Sequence, residues 1–279
     1  MKRIEKRCII GEGPIWNEKE KKLYYVNGFG DEICIYDPET DEVKTRPVGA
    51  AAVAFSKDGR IILSRGDGVF FLNDDDSLTP LYDPQKYEIL YGNDMKVGPD
   101  GCVYVGTQSE KRIGVSDKIN GKLYRITPSG EVTVLLDGII LSNGLAWSQD
   151  EEHFYHTDSD TKMVREYNFD KQTGKLTYTG RELFVPGMDG FAIDTQDRLI
   201  VGAWGKGHIT VVDTKKMEIE RDIDMPVRIP TSCNFCGDDM KTLAITTASY
   251  RTDLEQDPLA GFLFLMPMEV GGRLPYLFG

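Results

Sequence analysis

The sequence predicts an all-β fold, a six-bladed β-propeller with four antiparallel strands per blade, and three observations carry that expectation. First, one phrase recurs, a short strand followed by a polar turn and a second strand, opening at Glu12, Ala51, Asn93, Asn143, Asp189 and Ser232. Second, successive openings lie 39 to 50 residues apart, near the roughly 40–50 residues of a propeller blade. Third, apolar residues alternate or come in short buried runs, with no amphipathic helical stripe between them. Neither the WD40 nor the kelch signature recurs, and a single domain spanning residues 1–279 is expected.

The elements follow in order. Residues 1–10 alternate basic and apolar side chains and read as an exposed edge strand. The first unit holds a strand ending at Trp16, then Lys22 to Asn27, Glu32 to Tyr36, stopped by Asp37-Pro38, and Glu42 to Val48. The second runs from Ala51 to Tyr82, with turns at Asp58-Gly59, Gly66-Asp67-Gly68 and Asn73 to Asp76. The third runs from Asn93 to Asp137 and carries an extra segment, Gln108 to Asn120, which reads as a lid or equally as a solvated loop. The fourth spans Asn143 to Val185, the fifth Asp189 to Met225, and the sixth starts at Ser232. That last unit lacks an outer strand after the Arg251 to Pro258 loop, so residues 2 to 8 are expected to complete it. Such closure leaves only short, protected edges.

Composition narrows the partners. A net charge of −12 and a pI near 4.8 exclude binding through a phosphate backbone, which needs clustered Lys and Arg. The basic N-terminus lacks the apolar stretch of a secretory signal, and no run approaches the roughly 18 apolar residues of a membrane span. A cytoplasmic protein without nucleic-acid or membrane partners is expected, a monomer or weak homo-oligomer acting on a small molecule. The five cysteines are an odd, scattered set, as reduced thiols would be.

The first strand of each blade lines a propeller's channel, so the six openers should converge at one mouth. Two carboxylates and two amides there make an oxygen-rich pocket suited to a hard divalent cation such as Ca²⁺. No His or Cys stands at these openings to favour Zn²⁺ or Cu²⁺. A single Asn-Gly ordinarily marks a turn; its repeated register at blade openings argues for a site.

GEGPIW at Gly11 to Trp16, NDMKVGPDGCVYVGT at Asn93 to Thr107, LSNGLAWSQD at Leu141 to Asp150, and PTSCNF followed by TLAITTAS resemble the senescence marker protein/gluconolactonase/luciferin-regenerating-enzyme-like family, over essentially the whole chain. The resemblance implies a six-bladed propeller holding one divalent metal, with Glu12, Asn143 and Asp189 as its ligands and Asn93 near metal and substrate. Ca²⁺ is the expected cation, with Zn²⁺, Mn²⁺ or Mg²⁺ as alternatives. Family members that open sugar-acid lactones commonly place an Arg two residues before that Asn, where this chain has Tyr91. The change should weaken recognition of a polyol and favour a flatter or less polar substrate.

These residues point to metal-assisted lactone hydrolysis, with Asp189 as general base and Asn93 and Tyr91 meeting the substrate. The alternatives are a binding propeller without turnover and a hydrolase of another ester or an organophosphate. Cys233 and Cys236 have redox-type spacing but no βαβ context, and read as structural. His153, His156 and His208 show no Ser or Cys nucleophile arrangement and read as packing or surface residues. No G-x-S-x-G elbow is present. Trp16, Trp147 and Trp204 read as core.

Overall fold

The computed structural model describes residues 1–279 and is a six-bladed β-propeller, six antiparallel sheets of four strands each. After β1 (Lys2–Ile4), the first blade holds β2 (Ile10–Asn17), β3 (Lys22–Gly28), β4 (Glu32–Asp37) and β5 (Glu42–Arg46). The second holds β6 (Ala52–Phe55), β7 (Ile61–Arg65), β8 (Gly68–Leu72) and β9 (Leu78–Pro80). The third holds β10 (Gly92–Val97), β11 (Val103–Thr107), β12 (Gly121–Ile126) and β13 (Val132–Ile139), with the single-turn helix α1 (Glu110–Ile113) between β11 and β12. The fourth is β14 (Ser142–Trp147), β15 (His153–Asp158), β16 (Met163–Phe169) and β17 (Leu176–Phe184); the fifth is β18 (Met188–Ile193), β19 (Arg198–Ala203), β20 (His208–Asp213) and β21 (Glu218–Asp224). The last has β22 (Pro230–Cys236), β23 (Thr242–Thr247) and β24 (Leu263–Pro267), and β1 completes it, Lys2 opposite Leu265 and Ile4 opposite Leu263. The completing strand covers residues 2–4, shorter than the expected 2–8.

The chain divides into two compact units, Met1–Ala50 with Leu183–Pro275 and Ala51–Glu182 with Tyr276–Gly279. In both, the outermost strand of each blade is its most exposed. Every residue of β14 and β18 is buried, whereas β21 is almost wholly exposed. Strands buried on both faces read as unbroken apolar runs and lose the period-two signal. The first unit's core gathers Tyr25, Cys34, Ile200, Phe235, Leu243 and Ile245. In the second, Trp147 packs edge-on against Tyr104 at 4.8 Å and at a tilt against Phe154 at 4.9 Å, contacts that add to the burial of the rings.

Aspartates close the turns between first and second strands. Asp194 accepts the N–H groups of Gln196 at 2.9 Å and Arg198 at 3.0 Å, and its other oxygen takes the Arg198 side chain at 2.7 Å. Asp150 accepts Ser148 Oγ and Glu152 N in the same way. A side chain that caps its own turn explains why the phrase is legible as strand, Asp-rich turn, strand.

Two details depart from the expectations, and the cysteines agree with them. The Gln108 to Asn120 segment contains one helical turn, capped by Ser109 accepting Arg112 N–H and ended by Gly114 at φ 76°. Glu110 ties the segment to itself, accepting Ser116 Oγ and Asn120 Nδ2 while its N–H donates to Asn120 Oδ1. Trp204 is 37% exposed, unlike the buried Trp16 and Trp147, because it follows the end of β19 rather than lying within it. All five cysteines are free and buried, and Cys233 Sγ lies 2.9 Å from the Ile200 carbonyl.

Candidate functional site

Five of the six innermost strands carry one extra residue against their neighbour, and each irregularity falls at the opener. The register shifts between Glu12 and Ile15 in β2, Gly92 and Met95 in β10, Asn143 and Leu145 in β14, Met188 and Phe191 in β18, and Pro230 and Ser232 in β22. Only β6 pairs without a break, from Ala52 opposite Ser64 to Phe55 opposite Ile61. A β-bulge inverts the alternation of side chains on its strand and re-aims the residue it contains. The Asn143-Gly144 pair therefore lies inside a strand rather than in the turn that such a pair ordinarily makes.

In the first unit, Glu12 and Asp189 stand on the two strands that flank β22. Glu12 is half-buried and its Oε2 accepts the N–H of Gly13 at 3.2 Å, the glycine taking φ 52°. Asp189 is buried at its bulge, followed by Gly190, where a Cβ would stand 2.3 Å from Ser232 Oγ. Thr231 Oγ1 donates to the Gly11 carbonyl at 2.6 Å, fastening the opening of β22 to that of β2.

The second unit brings Tyr91, Asn93 and Asn143 together with groups that sequence reasoning missed. Asn143 is buried, and its Oδ1 accepts the N–H of Gly144 at 3.2 Å, the glycine at φ 56°. Asn93 Nδ2 donates to the Ser142 carbonyl at 2.9 Å, which turns its Oδ1 toward Gln108 Nε2 at 3.4 Å. Tyr91 is held at φ 59° with its backbone fixed on both sides, its N–H donating to Gly66 O at 2.7 Å and its carbonyl accepting Gln108 N–H at 2.9 Å.

Asp94 is the first missed group. Its Oδ2 accepts Gly144 N–H at 2.9 Å and its Oδ1 accepts Met95 N–H at 2.8 Å. Burial raises its carboxyl above the ordinary value, against the opposing charge of Lys96 and the two backbone donors. The signal was the second member of the Asn93-Asp94 pair, a carboxylate beside an opener. The second is a Ser–His contact: Ser142 Oγ and His156 Nε2 are 2.7 Å apart and both buried, contrary to the expectation that no such arrangement exists. Burial, helped by the charge of Arg165, pushes His156 down to about 3, so the ring is neutral. Neutral and enclosed, the pair braces β14 from beneath and leaves the reading of His156 as a packing residue in place. Only the register of β14 against β15 joins these two residues.

Four-stranded blades, five of whose six inner strands are bulged at their openings, make up a six-bladed propeller with carboxylate and amide residues among those openers. Residues 10–249 match the SMP-30/Gluconolactonase/LRE-like region, and the chain belongs to that family. Regucalcin of Gallus gallus is 32% identical over 288 residues, covering 98% of this chain and 95% of the relative. Pentonolactonase XacC of Haloferax volcanii is 30% identical over 291 residues, covering 97% and 94%. The crystal structure of a calcium-binding protein, regucalcin, from Agrobacterium tumefaciens str. C58 matches with a TM-score of 0.88 over 100% of this chain and 97% of that one. At 22% identity that likeness speaks for the fold.

Proposed function

We propose that the protein is a metal-dependent lactonase, with Glu12, Asn143 and Asp189 as ligands of one divalent cation and Asp189 as the general base. The observation that carries the reading is the placement of all three residues at bulged inner-strand openings. Their chemistry fits a hard cation, since each offers oxygen, and Ca²⁺ accepts carboxylate and amide oxygens in irregular geometry. No three His, Cys, Asp or Glu side chains gather anywhere in the chain to make a site of another kind. The family includes a named pentonolactonase, which supports the reaction. Mn²⁺, Mg²⁺ and Zn²⁺ are the competing cations.

When bound, the cation supplies Lewis-acid polarisation of the lactone carbonyl. Asp189 takes the proton of the attacking water through a carboxylate oxygen. Asn93, whose Nδ2 is engaged by Ser142 O, offers Oδ1 as an acceptor for a substrate hydroxyl or for the water. Tyr91 presents an aromatic ring where sugar-acid lactonases of the family commonly have Arg, so the preferred ring is flatter or less polar than a sugar-acid lactone. The substrate is a small molecule, and the protein acts in the cytoplasm as a monomer or weak homo-oligomer.

A pH-indicator screen over sugar-acid, aliphatic and aromatic lactones tests this, with Ca²⁺, Mn²⁺, Zn²⁺ or EDTA and with Asp189→Ala beside the wild type. Turnover should vanish in EDTA and in the variant. Hydrolysis indifferent to both would defeat the proposal. A melting temperature raised by Ca²⁺ with no product from any lactone would mark a binding protein instead.

A further inference from the structure

We propose that Asp94 is a positioning residue for Asn143, its carboxylate holding the Gly144 N–H and so fixing the bulge that aims the Asn143 amide. The inference rests on the reading of Asn143 as a cation ligand.

A carboxylate drawn partly out of water is costly unless donors surround it, and the half-buried Asp94 receives two backbone N–H groups at bulges. Met95 N–H reaches Oδ1 at 2.8 Å and Gly144 N–H, from the next blade, reaches Oδ2 at 2.9 Å. A bulge leaves its extra residue outside the ladder, so the Gly144 N–H depends on side chains, and the Asp94 bond at 2.9 Å is shorter than the 3.2 Å contact with Asn143 Oδ1. The same stretch of backbone is fixed from its other end. Asp158 accepts Ile140 N–H at 2.9 Å and Leu141 N–H at 3.1 Å, and Asn93 Nδ2 holds the Ser142 carbonyl at 2.9 Å. Asn143 is thus carried on backbone clamped at 140, 141, 142 and 144, and Asp94 supplies the clamp on its C-terminal side.

The chemistry requires Asp rather than Asn. A carboxylate accepts on both oxygens, whereas an amide has one acceptor and would turn its NH₂ against an N–H. Asp94→Asn therefore breaks one of the two bonds at almost unchanged volume.

The experiment is a Ca²⁺ titration by calorimetry of wild type, Asp94→Asn, Glu12→Gln and Asn143→Ala, with kcat and KM measured on whichever lactone the wild type turns over. The expected result is a loss of Ca²⁺ affinity of about 10–100-fold in Asp94→Asn, the range of groups that orient a ligand, with kcat falling more than KM rises. A merely structural role would lower the melting temperature while Ca²⁺ affinity stays within about twofold, and that result overturns the inference. If Glu12→Gln and Asn143→Ala bind Ca²⁺ as the wild type does, the metal reading falls and takes this one with it. If they weaken binding and Asp94→Asn does not, only the role of Asp94 falls. Should Asp94→Asn not fold, amide hydrogen exchange on the metal-free wild type decides: a protected Gly144 amide supports the clamp, and exchange at the rate of a free loop overturns it.

Discussion

β6 and β14 hold the same innermost position in blades of the same unit, and they differ in one respect that matters. β6 reads AVAF, opens after Ala51 and pairs with β7 without a register break. β14 reads SNGLAW and breaks register between Asn143 and Leu145. Both are buried throughout, so hydrophobic packing does not separate them. The bulge does. It lets a strand that is otherwise core turn a polar side chain out of the alternation. The blade without a bulge contributes no oxygen donor at its opening.

The largest effect that tests this comparison is on turnover. Asn143→Ala removes a proposed cation ligand and should lower kcat/KM by about 10²-fold or more, since a bound cation contributes several kcal/mol to the transition state. Ala51→Ser, at the matching point of the second blade, should leave cation affinity and kcat/KM at wild-type values. Equal damage from the two variants would break the distinction between bulged and regular openers.

Next in size is the space beneath Asn143. A Cβ at Gly106 would lie 2.0 Å from Ser142 Oγ and 2.5 Å from Ser142 Cβ, whereas one at Gly66 in the second blade would meet nothing within 4 Å. Gly106→Ala should therefore destabilise the fold by roughly 1–3 kcal/mol through overpacking, and Gly66→Ala by no more than about 0.5 kcal/mol. Urea midpoints measure both. A Gly106→Ala midpoint equal to that of Gly66→Ala would show that the Ser142–His156 contact gives way freely.

The bulges also explain what the sequence could and could not disclose. The propeller was legible because its period survives in the phrases opening at Glu12, Asn93, Asn143 and Asp189, and because Asp150 and Asp194 cap their own turns. The openers were legible by register, which needs only that inner strands begin alike. Asp94 was not, because a period-two reading points neighbours to opposite faces, and the bulge that sets Asn93 and Asp94 against Gly106 cancels that rule. Ser142 and His156 are 14 residues apart, and their contact depends on the same kind of shift in β14. Trp204 was misread because its exposure is decided by where β19 stops.

His156 gives a smaller, pH-dependent effect that belongs to the bulged strand alone. Its folded value of about 3 lies below the ordinary 6.5, so between those limits the unfolded chain binds a proton that the folded protein does not. Stability should fall as pH drops from 6.5 toward 3, by up to ~1.4 kcal/mol per pH unit from this group, and the group should contribute no slope above that window. His156→Gln removes the contribution. The difference between wild-type and variant unfolding free energies at pH 7 and pH 5 reads it directly, and parallel pH dependences would exclude the buried neutral ring as its source.

The smallest effect joins the regular blade to the site. The second blade offers no side-chain donor, yet its Gly66 carbonyl holds the N–H of Tyr91 while Gln108 N–H holds the Tyr91 carbonyl, keeping this bulky residue at φ 59°. That left-handed backbone costs about 1 kcal/mol for any residue but glycine, and strain of this size persists where the surroundings enforce it, often at functional sites. Tyr91→Gly relieves the strain but loosens the unfolded chain. The net change should stay within about 1 kcal/mol, or a few degrees of melting temperature. Its lactone preference should move away from flat, aromatic rings. A preference identical to the wild type's would mean that the second blade anchors Tyr91 for the fold alone, and the contrast between bulged and regular blades would then extend to substrate recognition as well as to the cation.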